Sequence, residues 1–327
     1  MLSGPFVVAR SAHGGDSRMA SSLCNVCGGS LEPRFGRVLD PQTGEVFAIH
    51  GCVKCGLGHT LPQPEDLGRY YGTTYHGGRH GFTAAYCASR RVRIVGSVTS
   101  SAPNGSVAER KLLDVGCGDG TFISAARTKG WTVFGTEMNP EIARGAGLEV
   151  WETIEQAKTS GPFDCITLWH SLEHLRDPRS TLTQLSKLLS PAGVLVIAVP
   201  DAGGLQARFF GAKWFHLDVP RHLYHFNELS LARLVASAGL TITRRWHQEF
   251  EYDLFGWSQS ALNSLSSVPN VFFYSLTGRP THADTVAEMV NVGLGLVLSG
   301  LSVPAVALGT LSHNGGTLVI AARRETR

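Results

Sequence analysis

Charge is scarce in this chain. Asp, Glu, Lys and Arg make up 17% of its 327 residues, the formal net charge is +3, and no run of five or six basic residues occurs. A polyanion-binding arm therefore has no compositional support, and nucleic acid is not the expected partner. The scarcity does not signal disorder, because hydrophobic residues reach 43%, well outside the low-hydrophobicity, high-charge regime of unfolded chains. A secretory signal is lacking too: Met1 to Arg18 has neither a basic start nor an apolar run of useful length. Residues 1–20 read as a flexible leader, with Met19 as an alternative start. No internal repeat is evident, and the length allows two domains.

Seven cysteines is an odd number, and four of them form two CxxC pairs, Cys24 with Cys27 and Cys52 with Cys55. In a chain without a signal this reads as metal binding in a reducing, cytoplasmic compartment rather than as disulfides. Thiolates two residues apart on a Gly-containing turn reach one tetrahedral ion, and two such knuckles supply four ligands. The pattern is that of a structural zinc ribbon, with a short hairpin around the Pro41–Gly44 turn. The other reading, four buried thiols, gives no reason for the paired spacing.

From Lys111 short apolar runs alternate with amphipathic stretches: LLDV, TFISAART, TVFGTE, DCITLW, TLTQLSKLLS and VLVIAVP. Strands alternating with helices imply an α/β fold with a parallel sheet covered on both faces. A helix is expected over 84–98 and another over 228–237, with strands over 240–246 and 317–322. Between those last strands, Met289 to Ala322 holds no Asp, Glu, Lys or Arg. Residues 290–311 are long enough to cross a bilayer, but five Gly and Pro residues interrupt them, and the following strand must return to the same sheet. A broken apolar cap on a membrane face or a buried helical lid are the two readings.

LLDVGCGDG, Leu112 to Gly120, places a Gly-rich turn between strand and helix, where backbone can approach a nucleotide-like ligand. The dinucleotide fingerprint GxGxxG would need Gly at 121, where this chain has Thr121. Asp114 suits a ligand with an ammonium group better than one with a pyrophosphate. About 20 residues on, Glu137 ends the next strand, where a carboxylate can accept both hydrogen bonds of a ribose diol.

Together DVGCGDG, GTEMNP, FDCITLWHSLEHL and GVLVIAVP resemble the ordered motifs of the class I S-adenosylmethionine-dependent methyltransferases over roughly residues 111–250. The front segment and WFHLDVPRHLYHF resemble parts of bacterial methyltransferases that carry a zinc ribbon. The resemblance implies a Rossmann-like, doubly wound, seven-stranded, mostly parallel sheet. It divides the chain into leader (1–20), ribbon (21–62), linker and helix (63–110), methyltransferase domain (111–250 plus 316–324) and apolar insertion (251–315). It implies that Asp114, Gly116, Cys117, Gly118, Glu137, Met138, Trp169 and His170 hold S-adenosylmethionine, with Ser171 beside them. The third-strand region around Glu152 and Thr153 departs from the family's aspartate-bearing pattern.

One motif competes. His170, Glu173 and His174 spell HxxEH, an inverted zinc-protease signature, but the run follows a buried strand at the sheet edge where cofactors bind, not mid-helix. Methyl transfer from a sulfonium needs alignment and, for a hydroxyl acceptor, removal of a proton. His170, His174, His222 and His225 are the candidate bases, each of which has a structural alternative, and Arg221 is expected to pair with Asp218. No NPPY-like tetrapeptide follows the fourth strand, which argues against nucleic-acid base methylation. The reading is methyl transfer to a hydroxyl of a small molecule, glycan or lipid-linked precursor, with peripheral membrane contact through 251–315 at the inner face. The alternatives are RNA or protein methylation directed by the ribbon, or a module that binds cofactor or partner without turnover.

Overall fold

The computed structural model describes residues 23–71, 83–99 and 110–325, so the expected leader lies outside them. The chain begins with three antiparallel strands, β1 (Leu31–Leu39), β2 (Val46–Cys52) and β3 (Gly58–Leu61), then α1 (Gly68–Tyr71) and α2 (Ala84–Thr99). An alternating series follows: β4 (Arg110–Val115), α3 (Thr121–Arg127), β5 (Trp131–Thr136), α4 (Glu141–Gly145), β6 (Glu149–Trp151), β7 (Phe163–Trp169), α5 (Pro178–Leu188) and β8 (Leu189–Pro200). The remainder is α6 (Leu205–Phe210), β9 (Tyr224–His225), α7 (Glu228–Ser237), β10 (Leu240–Trp246), α8 (Phe250–Leu265), α9 (Val271–Leu276), α10 (Thr285–Leu301), α11 (Val303–Leu311) and β11 (Thr317–Arg324).

The seven-stranded sheet runs β10-β11-β8-β7-β4-β5-β6. Its five strands from β8 to β6 are parallel, and β11 enters antiparallel between β8 and β10. Leu112, Leu113, Cys165, Ile166, Leu195 and Val196 are fully buried, because both faces of a doubly wound sheet are covered and strands there read as continuous apolar runs. Local signals set the helix starts: Asp177 accepts the Ser180 N–H with Pro178 at the first helical position, and Asn227 and Ser230 form a capping box. Strand order reverses between β4 and β7, and a crevice opens beyond the carboxyl ends of strands at such a point.

The amino-terminal strands do not stand alone. Their sheet is completed by β9, in the order β1-β2-β3-β9, with Gly58 opposite His225 and His59 opposite Tyr224. Cys55 and Leu57 share one apolar cluster with Leu223, Phe226 and Leu231, and Asn227 Nδ2 donates to the Cys55 carbonyl at 3.1 Å.

The insertion before β11 is helical, as expected, but a buried lid is not what forms at α10 and α11. Gly295 is the buried residue of α10, and Val306 and Gly309 are those of α11. Met289, Leu296, Val297, Leu301, Leu308 and Leu311 are exposed, Leu311 by 81%. No single helix among the described residues is long and apolar enough to cross a membrane; α10 and α11 reach that length only as a pair bent by 43°.

Candidate active site

The turn after β4 is built for close approach. Gly116, Gly118 and Gly120 take φ values of +78°, +57° and +81°, a region that side-chain-bearing residues rarely enter. A Cβ on Gly116 would fall 2.7 Å from Ser171 Cβ, whereas one on Gly118 would project into open space. At the end of β5 the Glu137 carboxylate accepts the backbone N–H groups of Gly118 and Met138, each at 2.8 Å. Asp114 is buried on β4 and accepts the Thr167 hydroxyl at 2.6 Å; burial pushes its carboxyl up to about 7. Burial likewise raises the Cys117 thiol, so it is packing rather than a nucleophile.

These groups line one cavity of about 340 Å³. Its walls fall into two sets by origin. Asp114, Gly116, Cys117, Gly118, Glu137, Met138, Glu152 and Thr153 come from the carboxyl ends of β4, β5 and β6. The second set, from α1, α2, α8 and the turn after β7, includes Tyr71, Arg91, His170, His174 and Tyr252. Trp169 stands between them at the end of β7, edge-on to Phe122 at 5.7 Å.

Of the four histidines named from sequence, His170 and His174 line the cavity, His222 packs against His174 outside its lining, and His225 lies apart. His170, at φ +52°, pairs through Nε2 with Glu249, and its ring stacks on Tyr252 with centroids 4.0 Å apart. His174 lines the cavity, with Nδ1 2.9 Å from the Arg221 carbonyl and 3.0 Å from the Tyr71 hydroxyl. His222 is not among the described lining residues; it lies behind His174, edge-on, with ring centroids 4.7 Å apart. His225 departs from expectation altogether. It sits on β9 in the amino-terminal sheet, with Nε2 3.0 Å from Thr60 Oγ1, because the strand pairing that completes that sheet turns it away from the cavity. Burial drives both His222 and His225 well below the ordinary imidazole value. Arg221 pairs with Asp218 at 2.7 Å, as expected, and also with Asp40 at 3.0 Å.

HxxEH does not form a helical metal face: Leu172–His174 is a single tight turn, and His170 is taken up by Glu249. Sequence reasoning missed the group that holds His170. Glu249 is fully buried and accepts Arg91 Nε at 2.9 Å; it also pairs with Arg90. Against the burial that raises it, Arg91 and then His170 hold the Glu249 carboxyl well below the ordinary range. Arg91 in turn lies over the Trp169 ring, 5.0 Å from its centroid. Only the arginine pair on a predicted helix hinted at this, since Glu249 lies outside every motif.

Cys24, Cys27, Cys52 and Cys55 do converge, their sulfur atoms all within 4.8 Å of one another. Cys24 and Cys55 are 3.7 Å apart, and Cys27 and Cys52 3.3 Å, against about 3.8 Å for the edge of a tetrahedron with 2.3 Å zinc–sulfur bonds. Each knuckle is closed by a glycine: the Gly28 N–H donates to the Cys24 carbonyl and the Gly56 N–H to that of Cys52, both at 2.8 Å. At Cys52 the burial that raises a thiol is overcome by the backbone amides of Cys55 and Lys54, which bring it to about 7. The set fits a structural zinc ion.

Residues 83–245 match a family described as "Methyltransferase domain". Among curated proteins, the chain is 29% identical over 154 residues to a ubiquinone biosynthesis O-methyltransferase of Saccharophagus degradans, covering 42% of this chain and 65% of the relative. It is 33% identical over 131 residues to the Escherichia coli protein of that name, covering 36% of this chain and 55% of the relative. The chain thus spans between half and two thirds of the length of these relatives. Among solved structures, a SAM-dependent methyltransferase from Archaeoglobus fulgidus is similar at a TM-score of 0.43 and 18% identity, covering 79% of this chain and 100% of that one. A coclaurine N-methyltransferase bound to N-methylheliamine and SAH has a TM-score of 0.45 and 14% identity, covering 72% and 70%.

Proposed function

This chain belongs to the class I S-adenosylmethionine-dependent methyltransferases, and from that premise we propose that it transfers a methyl group to a hydroxyl of a small apolar or lipid-linked acceptor. The observation that carries the reading is the single cavity in which the Gly116–Gly118 turn, Asp114 and Glu137 face the side chains of α1, α2 and α8. When bound, the cofactor supplies an electrophilic methyl group on a sulfonium. Asp114 provides the carboxylate for its ammonium, Glu137 the acceptor pair for its ribose hydroxyls, and Gly116 and Gly118 the bare backbone against which it lies. Met138, Glu152 and Thr153 flank the same end.

The acceptor enters from the other set of walls. Arg91 lies over the rings of both Trp169 and Tyr252, and the three form a cation-capped aromatic wall against which an acceptor can pack. His170, clamped between Glu249 and the Tyr252 ring, positions that wall, and the acceptor hydroxyl meets His174. The exposed apolar face of α10 and α11 supports an acceptor drawn from a membrane surface, because a bent helical pair with no charge beyond Glu288 in its first turn rests in an interface better than it spans one.

The test is transfer of labelled methyl from S-adenosylmethionine to lipid, aqueous small-molecule and RNA fractions of a cell extract. Label should enter the lipid or small-molecule fraction, and Leu301→Glu with Leu308→Glu should lower lipid labelling at least fivefold while leaving soluble acceptors unaffected. Label in RNA alone would contradict the reading.

A further inference from the structure

A second group of metal-ligating side chains lies at the acceptor end of the cavity, built from the HxxEH run but not in the way that motif suggests. One ligand atom from each of Glu173, His174 and His222 lies within 4.8 Å of the other two. The turn after β7 supplies the first two. The third comes from the loop before β9, and the two segments are tied where the Leu223 N–H donates to the Glu173 carbonyl at 2.9 Å.

The imidazoles are oriented as metal ligands are. His222 Nδ1 lies 2.8 Å from the His216 backbone carbonyl, and His174 Nδ1 lies 2.9 Å from that of Arg221. A carbonyl can only accept, so in the neutral rings the hydrogen sits on Nδ1 and the lone pair on Nε2. Fixing the tautomer through the far nitrogen is the usual support of a metal-bound histidine. His222 Nε2 is 3.9 Å from Glu173 Oε1, and donors around a cation with bonds of about 2.1 Å sit about 3 to 3.5 Å apart. Closing that gap needs a movement of less than about 1 Å, and the two separations that involve His174, each within 4.8 Å, need less than about 2 Å.

We propose that Glu173, His174 and His222 form a divalent-cation site, of the class that takes zinc, iron(II) or manganese, with open positions that accept the oxygen of the methyl acceptor. Two histidines and one carboxylate leave coordination positions vacant for substrate, unlike the closed four-thiolate set. Glu173 and His222 are buried, whereas His174 lines the cavity, so the ion is shielded on one side and reachable on the other. On coordination the acceptor hydroxyl loses its proton to water and keeps both electrons of the O–H bond on oxygen, as a cation that lowers the pKa of a bound hydroxyl allows. The role of the ion towards the acceptor rests on the function proposed above; the site itself does not.

The test is titration of the full chain, loaded with one equivalent of Zn2+, with Co2+, followed by metal analysis and visible absorption. The wild type should take up one further equivalent, with weak visible bands and no thiolate charge-transfer band. His222→Gln and His174→Gln should each lose that equivalent while keeping the zinc, whose retention reports that the fold survives. No second equivalent in the wild type, a thiolate band, or unchanged uptake in both variants would overturn the site. S-adenosylhomocysteine titration of the same samples reads the function separately: cofactor binding without a second metal removes the site alone, and a second metal without cofactor binding removes the function alone.

Discussion

Asp114 and Glu137 border the same glycine turn, one just before it in the chain and one across it in space, yet their surroundings ask different things of them. Glu137 is held by two backbone amides, whereas Asp114 is buried with one hydroxyl partner and pushed up to about 7. A raised folded-state value means that the neutral acid is favoured: its contribution to stability is full below the ordinary carboxylate value near 3.8 and is lost as pH rises through about 7. Without cofactor, the melting temperature of the wild type relative to Asp114→Asn should therefore fall between pH 5 and pH 8. S-adenosylhomocysteine, whose ammonium needs the ionised form, should bind the wild type several-fold more tightly at pH 8 than at pH 6. A wild-type minus variant difference that does not change with pH would contradict this assignment. At this scale the sequence was legible where chemistry is local. The glycine turn, Glu137 and the cysteine pairs are short motifs whose spacing sets their geometry. Glu249 and Tyr252 were not, because they reach His170 through tertiary packing from a helix far along the chain.

Among the elements, the strands and helices of the large sheet follow from buried apolar runs and clear caps, and β4, β10 and α7 lie where their patterns place them. The two-residue strand β9 carries too little pattern to be read, and its pairing with β3 is what removes His225 from the cavity. That pairing has a thermodynamic consequence. The cysteine knuckles share a core with residues 223–235, so metal that stabilises them stabilises part of the larger unit as well. Chelation, or Cys52→Ser, should release one zinc per chain and lower the main thermal transition by several degrees rather than produce a separate early one. Affinity for S-adenosylhomocysteine should change little, since Asp114 and Glu137 lie on the other sheet. Full zinc content in Cys52→Ser would contradict the four-thiolate site, and two well-separated transitions would contradict the shared core.

Over the whole molecule, the site draws on distant segments of the chain. The strand-order reversal opens the crevice, α2 and α8 wall it with Arg91 and Tyr252, and the bent α10–α11 pair, without charge beyond Glu288, packs against α8. That packing is the feature on which the proposed membrane-derived acceptor rests, while the cofactor reading rests on the glycine turn and its two carboxylates. The measurement that tests this account most directly is calorimetric titration of the zinc-replete chain with S-adenosylhomocysteine, beside NAD under identical conditions and repeated with Glu137→Ala. The account predicts saturable one-to-one binding of S-adenosylhomocysteine alone, weakened at least tenfold, about 1.4 kcal/mol, by the substitution. Binding of neither ligand, or equal affinity in Glu137→Ala, would contradict it.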